Sequence, residues 1–461
     1  MKKRIIYILL IAGLLMAALL SATACTDANN TTHQDVPSDT LNDTPSDTYG
    51  DTPLSGTLTV SQCWNYYNLG YAIEKFNKIY PGVEIILTTY NSDAEKYRAQ
   101  VSAQLISGTA GDILDAGVFS YMELADRGFL ADFYPLMRQD AGFNKDDYYM
   151  NVFKGLEYKG KLYSFPVYFY YSLIGVNNVF SEDLAGRFKQ YCEISTREML
   201  DLYQGLNDRG NHYIDRNFDA IIAIRDNYGD FVDHENKTCW FNTDEFTKLL
   251  EDAKGATHPL RFENRELGWY MGSDFTRASQ EEAAHQYLFW KASCSRYEVL
   301  FPIVEKNVFS HFIPMVNNNG NLVFDPSKQF YISEASKNKE LAWEFLKFLT
   351  TPDMIQESDL FVQFPVNRMA FAAHANPYIS SVVDDWRKNF EAIDGETADV
   401  VSEIIAVLEQ YNNMPMEATK YAYGEGLSNI IDDIVQNFYN NVLTAEQAAS
   451  ELQNKVSLYL R

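Results

Sequence analysis

Basic residues are scarce in this chain of 461. Lys and Arg together number 38 against 63 Asp and Glu, a formal net charge of −25. That shortage excludes a nucleic-acid footprint, which needs cations gathered on one face to neutralise phosphates. It also argues against docking flat on an anionic membrane. There are only five cysteines, with no CxxC pair and no metal-ligand spacing. The seven histidines are scattered. His234-Glu235 opens like a zinc-deaminase motif, but no Pro-Cys-x-x-Cys follows it. GxSxG, HExxH, P-loop and GxGxxG patterns are all absent. Acidic residues are so numerous that no single pair stands out for glycosidase work. No catalytic residue, metal or cofactor is therefore assigned. Past the N-terminus there is no apolar run of roughly 20 residues that could span a bilayer, and no heptad array.

What is present begins with an address. Lys2, Lys3 and Arg4 precede an uncharged, mostly apolar run, Ile5–Leu20, which reads as a signal-peptide core. Ser21-Ala22-Thr23-Ala24-Cys25 follows. It resembles the lipobox of bacterial lipoproteins, with Ala22 where Leu is usual. That resemblance makes 1–25 a lipoprotein signal peptide and Cys25 the lipid anchor, carrying palmitate-type acyl chains. Two chains provide the two signals that stable anchoring needs. The stretch 26–56 then has no Lys or Arg and is built mainly from Thr, Asp, Asn, Ser and Pro. It cannot bury enough apolar surface to offset its ordering entropy, so a disordered tether is expected.

Hydrophobic residues make up 46% of the whole chain, enough for more than one core. Leu58-Thr59-Val60 reads as a strand. Leu69, Ile73, Phe76 and Tyr80 mark a helix stopped by Pro81-Gly82. Val83–Thr89 is a second strand, Asp93–Ser107 a second helix, and Asp112-Ile113-Leu114 a third strand. This alternation predicts an α/β fold with a parallel sheet covered on both faces. Ligands of such sheets lie beyond the carboxyl ends of the strands, which places Trp64-Asn65-Tyr66 and Asp115–Tyr121 near a crevice. Later segments read as helical. Ser336 is expected to cap a helix through Leu349, Val401 to Leu408 mark another, and Thr444-Ala445-Glu446-Gln447 opens the last with a capping-box pattern.

Aromatic clusters carry the most information about a ligand. They are Trp64-Asn65-Tyr66-Tyr67, Tyr168-Phe169-Tyr170-Tyr171 and Trp269-Tyr270. Flat rings tipped with donors suit sugars, although core packing is the ordinary reading of any single one of them. The pairing of Cys63, Cys192, Cys239 and Cys294 is not readable; buried thiols and bridges both remain open.

The order of motifs resembles extracellular solute-binding protein family 1, the maltose-binding-protein-like partners of ABC importers. The pieces are Ala72–Lys78 with Tyr80–Glu84, Ser107-Gly108 leading to Gly111-Asp112-Ile113, and Leu124-Ala125 through Gly128–Leu130. Gly160–Pro166 with Asn177, Ile332-Ser333 with Ser336–Leu346, and Phe364–Asn367 complete the series. The resemblance implies a two-lobed, type II periplasmic-binding-protein-like fold. Each lobe would be a mixed sheet flanked by helices, with three hinge crossings near 167–171, 312–316 and 364–368. It divides the body into an N-lobe, 57–168 plus 314–366, and a C-lobe, 169–313 plus 367–461.

By position, the resemblance places ligand contacts at Ala116, Phe119, Ser120 and Tyr170, and a stacking ring at Trp290. With Trp64, Asn65, Tyr66 and Trp269 these form the expected site, poorer in charge and richer in aromatics than the maltose-binding type. The implied function is a monomeric, membrane-tethered extracellular protein that delivers a small solute, an oligosaccharide by preference, to an ABC permease. The implied setting is the outer face of a Gram-positive-type cell membrane. A secreted lipoprotein glycoside hydrolase and a sensor-type binding protein are the alternatives.

Overall fold

The computed structural model describes residues 54–64, 68–177, 180, 182–206, 212–215, 218–258, 286–293, 309–357, 363–390, 397–419 and 425–461. The expectations for Cys25, the tether up to residue 53, Asn65, Tyr66 and Trp269 lie outside the described residues.

The first βαβαβ stretch forms where the periodicity placed it. Strand β1 is Ser55–Gln62, β2 Gly82–Thr89 and β3 Ile113–Asp115. Between β1 and β2 runs the helix Leu69–Ile79, which buries Leu69, Ala72 and Phe76 on one face. The Asn68 side chain starts it by accepting from the Tyr71 amide at 3.1 Å. The next helix, Ala94–Ser107, buries Tyr97, Val101 and Leu105, one per turn. Asp93 caps its start, and Gly108 ends it in the left-handed conformation at φ +70°, which a side chain would oppose. Strands β2 and β3 both pair in parallel with β1.

The remaining strands are β4 Phe165–Asn177, β5 Ile194–Ser195, β6 Val232–Asp233, β7 Thr238–Cys239, β8 Phe289–Ser293, β9 Phe309–Val316, β10 Leu322–Ile332, β11 Phe364–Pro365 and β12 Met416–Ala418. The main sheet runs β11-β4-β9-β10-β3-β1-β2, with β5 on β9, β8 on β4 and β12 on β10. β6 and β7 form a separate two-stranded sheet. The three expected crossings are therefore neighbours in space: Phe364 pairs with Phe169 and Leu173 with Pro314. The long β10, antiparallel to β4, joins them from Asp325↔Tyr170 to Phe330↔Phe165.

Two hydrophobic cores result. The first gathers Leu58 to Leu173 with Leu322 to Ala418. The second gathers Ile174 to Ala256 with Leu288, Phe289, Ile313, Met315 and Leu427 to Leu460. β4 passes from one to the other, giving Tyr171 and Leu173 to the first core and Ile174 and Val176 to the second. Trp343 anchors the first core, with Phe143 and Phe165 at 5.4 Å and its Nε1 donating to Asp140 at 2.9 Å. The helices Arg368–Phe390 and Thr397–Asn412 follow the third crossing in sequence but pack into the first core through Phe371, Val383, Ile404 and Leu408.

Local signals differ from expectation in one place. Ser336 does not cap the helix Lys339–Leu349; Asn338 occupies that position. The Ser336 hydroxyl instead donates to Asp112 Oδ1 at 2.6 Å and accepts from the Asn338 amide at 3.0 Å. Tying the helix entry to the buried Asp112 satisfies more groups than a local cap would.

The expected capping box at Thr444 is present, with Gln447 reaching back to the Thr444 amide at 2.9 Å. Thr444→Ala is expected to lower stability by about 1 kcal/mol, read as a small fall in the denaturation midpoint at unchanged slope.

Among the cysteines, Cys63 and Cys239 are buried thiols and Cys192 is disulfide-bonded. Among the described residues no helix is long and apolar enough to cross a membrane.

Candidate functional site

The site is built where the strands pass between the cores and where β1 and β3 end. Asp115 closes β3, and burial raises its carboxyl above the usual range, opposed by the Trp64, Gly117 and Cys63 amides and by Lys328. Its Oδ2 accepts from the Cys63 amide at 3.0 Å and the Trp64 amide at 2.9 Å. Asp115 thus fixes the chain as it leaves β1. Gln62 Nε2 donates to the Trp64 carbonyl at 2.9 Å. Gly117 is required under the ring, because a Cβ there would lie 2.4 Å from Trp64 Nε1 and 2.8 Å from Cδ1. Trp64 is half-buried and packs against the first core. Lys328 sits on β10 at φ +50°, its ammonium pushed down to about 8 by burial, with Asp115 acting the other way.

The neighbouring expected contacts are placed differently. Ala116 and Ser120 are buried at 3% and 5% exposure. The Ala116 carbonyl accepts from the Tyr331 hydroxyl at 3.3 Å, and Ser120 caps the helix Tyr121–Asp126. Phe119 is half-buried and leans on Tyr97, ring centroids 5.7 Å apart. Tyr170 is half-buried on β4, opposite Asp325. Trp290 lies on β8 opposite Gly175. It is half-buried and packs against the first core, although its neighbours Leu288 and Phe289 belong to the second. Tyr170 and Trp290 are therefore brought to the junction of the cores.

Beside Tyr170 the junction also holds a buried ionic cluster. Lys291 Nζ meets Asp226 Oδ2 at 2.6 Å, and Arg225 Nε meets Asp226 Oδ1 at 3.3 Å. The Lys291 amide donates to Asp215 Oδ2 at 3.0 Å. The Thr419 hydroxyl donates to Asp325 Oδ1. Burial raises the Asp325 carboxyl, with Arg225, Thr419 and Lys291 pulling it back and Asp226 adding to the rise. Burial also lowers the Lys291 ammonium, while Asp226 supports it. Asp226 and Lys291 come from the second-core side, and Asp325 on β10 and Thr419, just past β12, from the first.

Elsewhere the two cores touch directly. Lys159 donates its amide to Glu235 Oε1 at 2.6 Å, and the Tyr158 hydroxyl donates to Asp126 Oδ1 at 3.1 Å and reaches the His234 carbonyl at 3.5 Å. Tyr459 donates to Glu123. A cavity of about 250 Å³ lies at this contact, lined by Met122, Glu157, Tyr158, His234, Glu235 and Trp240 among others. His234 is held neutral, its pKa pushed down to about 4 by burial against the pull of Asp233 and Asp126, and its Nε2 lies 2.8 Å from the Tyr228 hydroxyl. His234-Glu235 is thus a contact between the cores. Among the described residues no group of three or more His, Cys, Asp or Glu is arranged to hold a metal ion.

Residues 71–362, well over half of the chain, match the family model described as bacterial extracellular solute-binding protein. The chain belongs to this family. Its fold is similar to that of the sugar-binding protein MalE from Xanthomonas citri, with a TM-score of 0.57 at 15% identity over 88% of this chain and 97% of that one. It is also similar to an extracellular solute-binding protein family 1 member from Alicyclobacillus acidocaldarius, at 0.55 and 12% over 89% and 100% of the chains. A third is the cyclic alpha-maltosyl-1,6-maltose binding protein from Arthrobacter globiformis, at 0.50 and 16% over 88% and 99%. At these identities the likeness speaks for the fold, a two-lobed mixed α/β architecture. No curated protein matches the sequence significantly.

For a solute-binding protein of this build, the sequence left Arg225, Asp226, Lys291 and Asp325 unmarked. A signal was there. Lys291 interrupts Phe289-Trp290-Lys291-Ala292, and Asp325 ends the apolar run Leu322-Val323-Phe324. A charge inside an apolar strand, where it is buried, needs a partner.

Proposed function

We propose that this solute-binding protein captures a small neutral carbohydrate, an oligosaccharide, between its two cores and delivers it to the membrane subunits of an ABC importer. It is held on the outer face of the cell membrane through acylated Cys25, acts as a monomer and performs no chemistry on its ligand. The observation that carries this reading is the placement of Trp64. A flat ring stands past the carboxyl end of β1, its backbone fixed by Asp115 and its indole resting on Gly117. Parallel sheets bind ligands at such strand ends, and aromatic faces stack on sugar rings.

Tyr170 and Trp290, half-buried at the junction, supply a second surface. Asn65, Tyr66, Phe119 and Trp269 complete the side-chain set, while Ala116 and Ser120 serve through backbone and cap. Two proteins of similar fold are a sugar-binding protein and a maltosyl-maltose-binding protein, which favours the same ligand class.

A thermal-shift screen with neutral oligosaccharides tests the reading. A ligand at 100 times its Kd adds about 2.7 kcal/mol to stability, so at least one glycan is expected to raise Tm clearly. A response to peptides or cations and to no glycan would contradict the proposal. Release of reducing sugar by the pure protein would contradict its non-enzymatic part.

A further inference from the structure

We propose that the turn between β9 and β10 is gripped from both lobes, by Glu417 on one side and Asp230 on the other, and that this grip sets the angle between the lobes. Asp230 and Glu417 are then positioning residues for capture. The inference goes beyond the carbohydrate reading, because the lobe angle is set whatever solute is held.

The chain changes core at this turn. β9 gives Ile313 and Met315 to the second core, and β10 gives Leu322 and Phe324 to the first. Between them stands Asn317-Asn318-Asn319-Gly320-Asn321. Asn317 shapes the turn: its Oδ1 accepts from the Asn319 and Asn321 amides, both at 3.0 Å, as asparagine does in tight turns. Gly320 supplies the left-handed residue, at φ +76°.

The side-chain amides of the turn reach in two directions. Toward the first core, Asn317 Nδ2 donates to Glu417 Oε2 at 2.7 Å and Asn321 Nδ2 donates to the same oxygen at 3.2 Å. Glu417 stands on β12, which pairs with β10. Toward the second core, Asn318 and Asn319 donate to the two carboxylate oxygens of Asp230. The Asn318 amide also donates to Asn227 Oδ1 at 3.2 Å. Asp230 lies on the short helix Tyr228–Phe231, which gives both its end residues to the second core. The two sides nearly touch, since a Cβ on Gly229 would fall 2.4 Å from Glu417 Oε1. A rotation of one lobe on the other moves Asp230 against Glu417, and the turn cannot follow both.

The bonds depend on one another. Burial raises the Glu417 carboxyl, and the Asn321 and Asn317 donors oppose the rise. A buried acid stripped of its donors is costly, so the bonds that hold the acid also hold the turn. A lobe angle fixed before the ligand arrives reduces the ordering that binding must supply.

The test begins without ligand. Spin labels attached through unnatural ketone side chains at positions 95 and 251, both exposed and one on each lobe, report the distance between lobes without involving the cysteines. The protein with no other change is expected to show one narrow distance. Glu417→Ala and Asp230→Ala should each broaden it into distances outside that range. Glu417→Gln keeps an acceptor for both asparagines and should restore the narrow distance. Affinity for the glycan with the largest thermal shift should fall about threefold or more in the alanine variants and recover in Glu417→Gln, because only molecules at the right angle are competent to bind. Asp230 is only half-buried, so its variant serves if Glu417→Ala fails to fold. An unchanged distance in the folded alanine variants would overturn the grip. A broadened distance with unchanged affinity would overturn its part in capture. If no glycan binds, the carbohydrate reading falls alone, and the distances still decide the grip.

Discussion

Trp64→Ala is expected to weaken oligosaccharide binding by about 30- to 150-fold, roughly 2–3 kcal/mol, the scale of a buried aromatic anchor in a binding site. The fold should be retained, because the ring is only half-buried and lies at the edge of the first core. An independent route to the same ring checks the cause. Gly117→Ala adds a Cβ that would fall 2.4 Å from Trp64 Nε1, so the indole must move. Asp115 would still hold the Trp64 backbone. The variant should therefore lose affinity in the same direction without changing the residue that binds. Titration calorimetry on both variants, with Tm of the unliganded proteins, measures this. Intact affinity in Trp64→Ala would remove the ring from the site, and unfolding would show it to be a core residue.

Asp226→Ala has the second large expectation. Asp226 is the shared partner of Lys291 at 2.6 Å and Arg225 at 3.3 Å, and its side chain is 1% exposed. Its removal leaves two cations buried without that partner, a loss of about 3–5 kcal/mol in comparable buried pairs. An exposed pair would cost only about 0–1 kcal/mol, so the size of the effect reports burial directly. The double variant Asp226→Ala/Lys291→Met should recover part of the loss, because it removes one of the stranded charges. Denaturant unfolding of wild type, single and double variants decides it. A single variant within about 1 kcal/mol of wild type would contradict a buried, mutually dependent cluster.

Much of the fold was legible because its signals are local. Tyr97, Val101 and Leu105 recur once per turn, Asp93 and Gly108 bracket their helix, and all three sit within a few residues of one another. The capping box at Thr444 is read from four consecutive residues. The polar half of the site was not legible, since its groups meet only through the tertiary fold. Asp226, Lys291 and Asp325 come from a helix and two strands far apart in sequence. The capping role of Ser336 failed for a related reason. A distant Asp112 competed for its hydroxyl, and local propensity gave way to a buried acceptor that needed a donor.

The central claim is that a neutral carbohydrate is held between the two cores against Trp64. The most direct measurement is the structure of the protein in complex with the glycan that gives the largest thermal shift. The account predicts a sugar ring stacked on the Trp64 indole, with the rest of the ligand reaching toward Tyr170 and Trp290. A glycan bound on an outer surface, or in the junction without contact to Trp64, would contradict it.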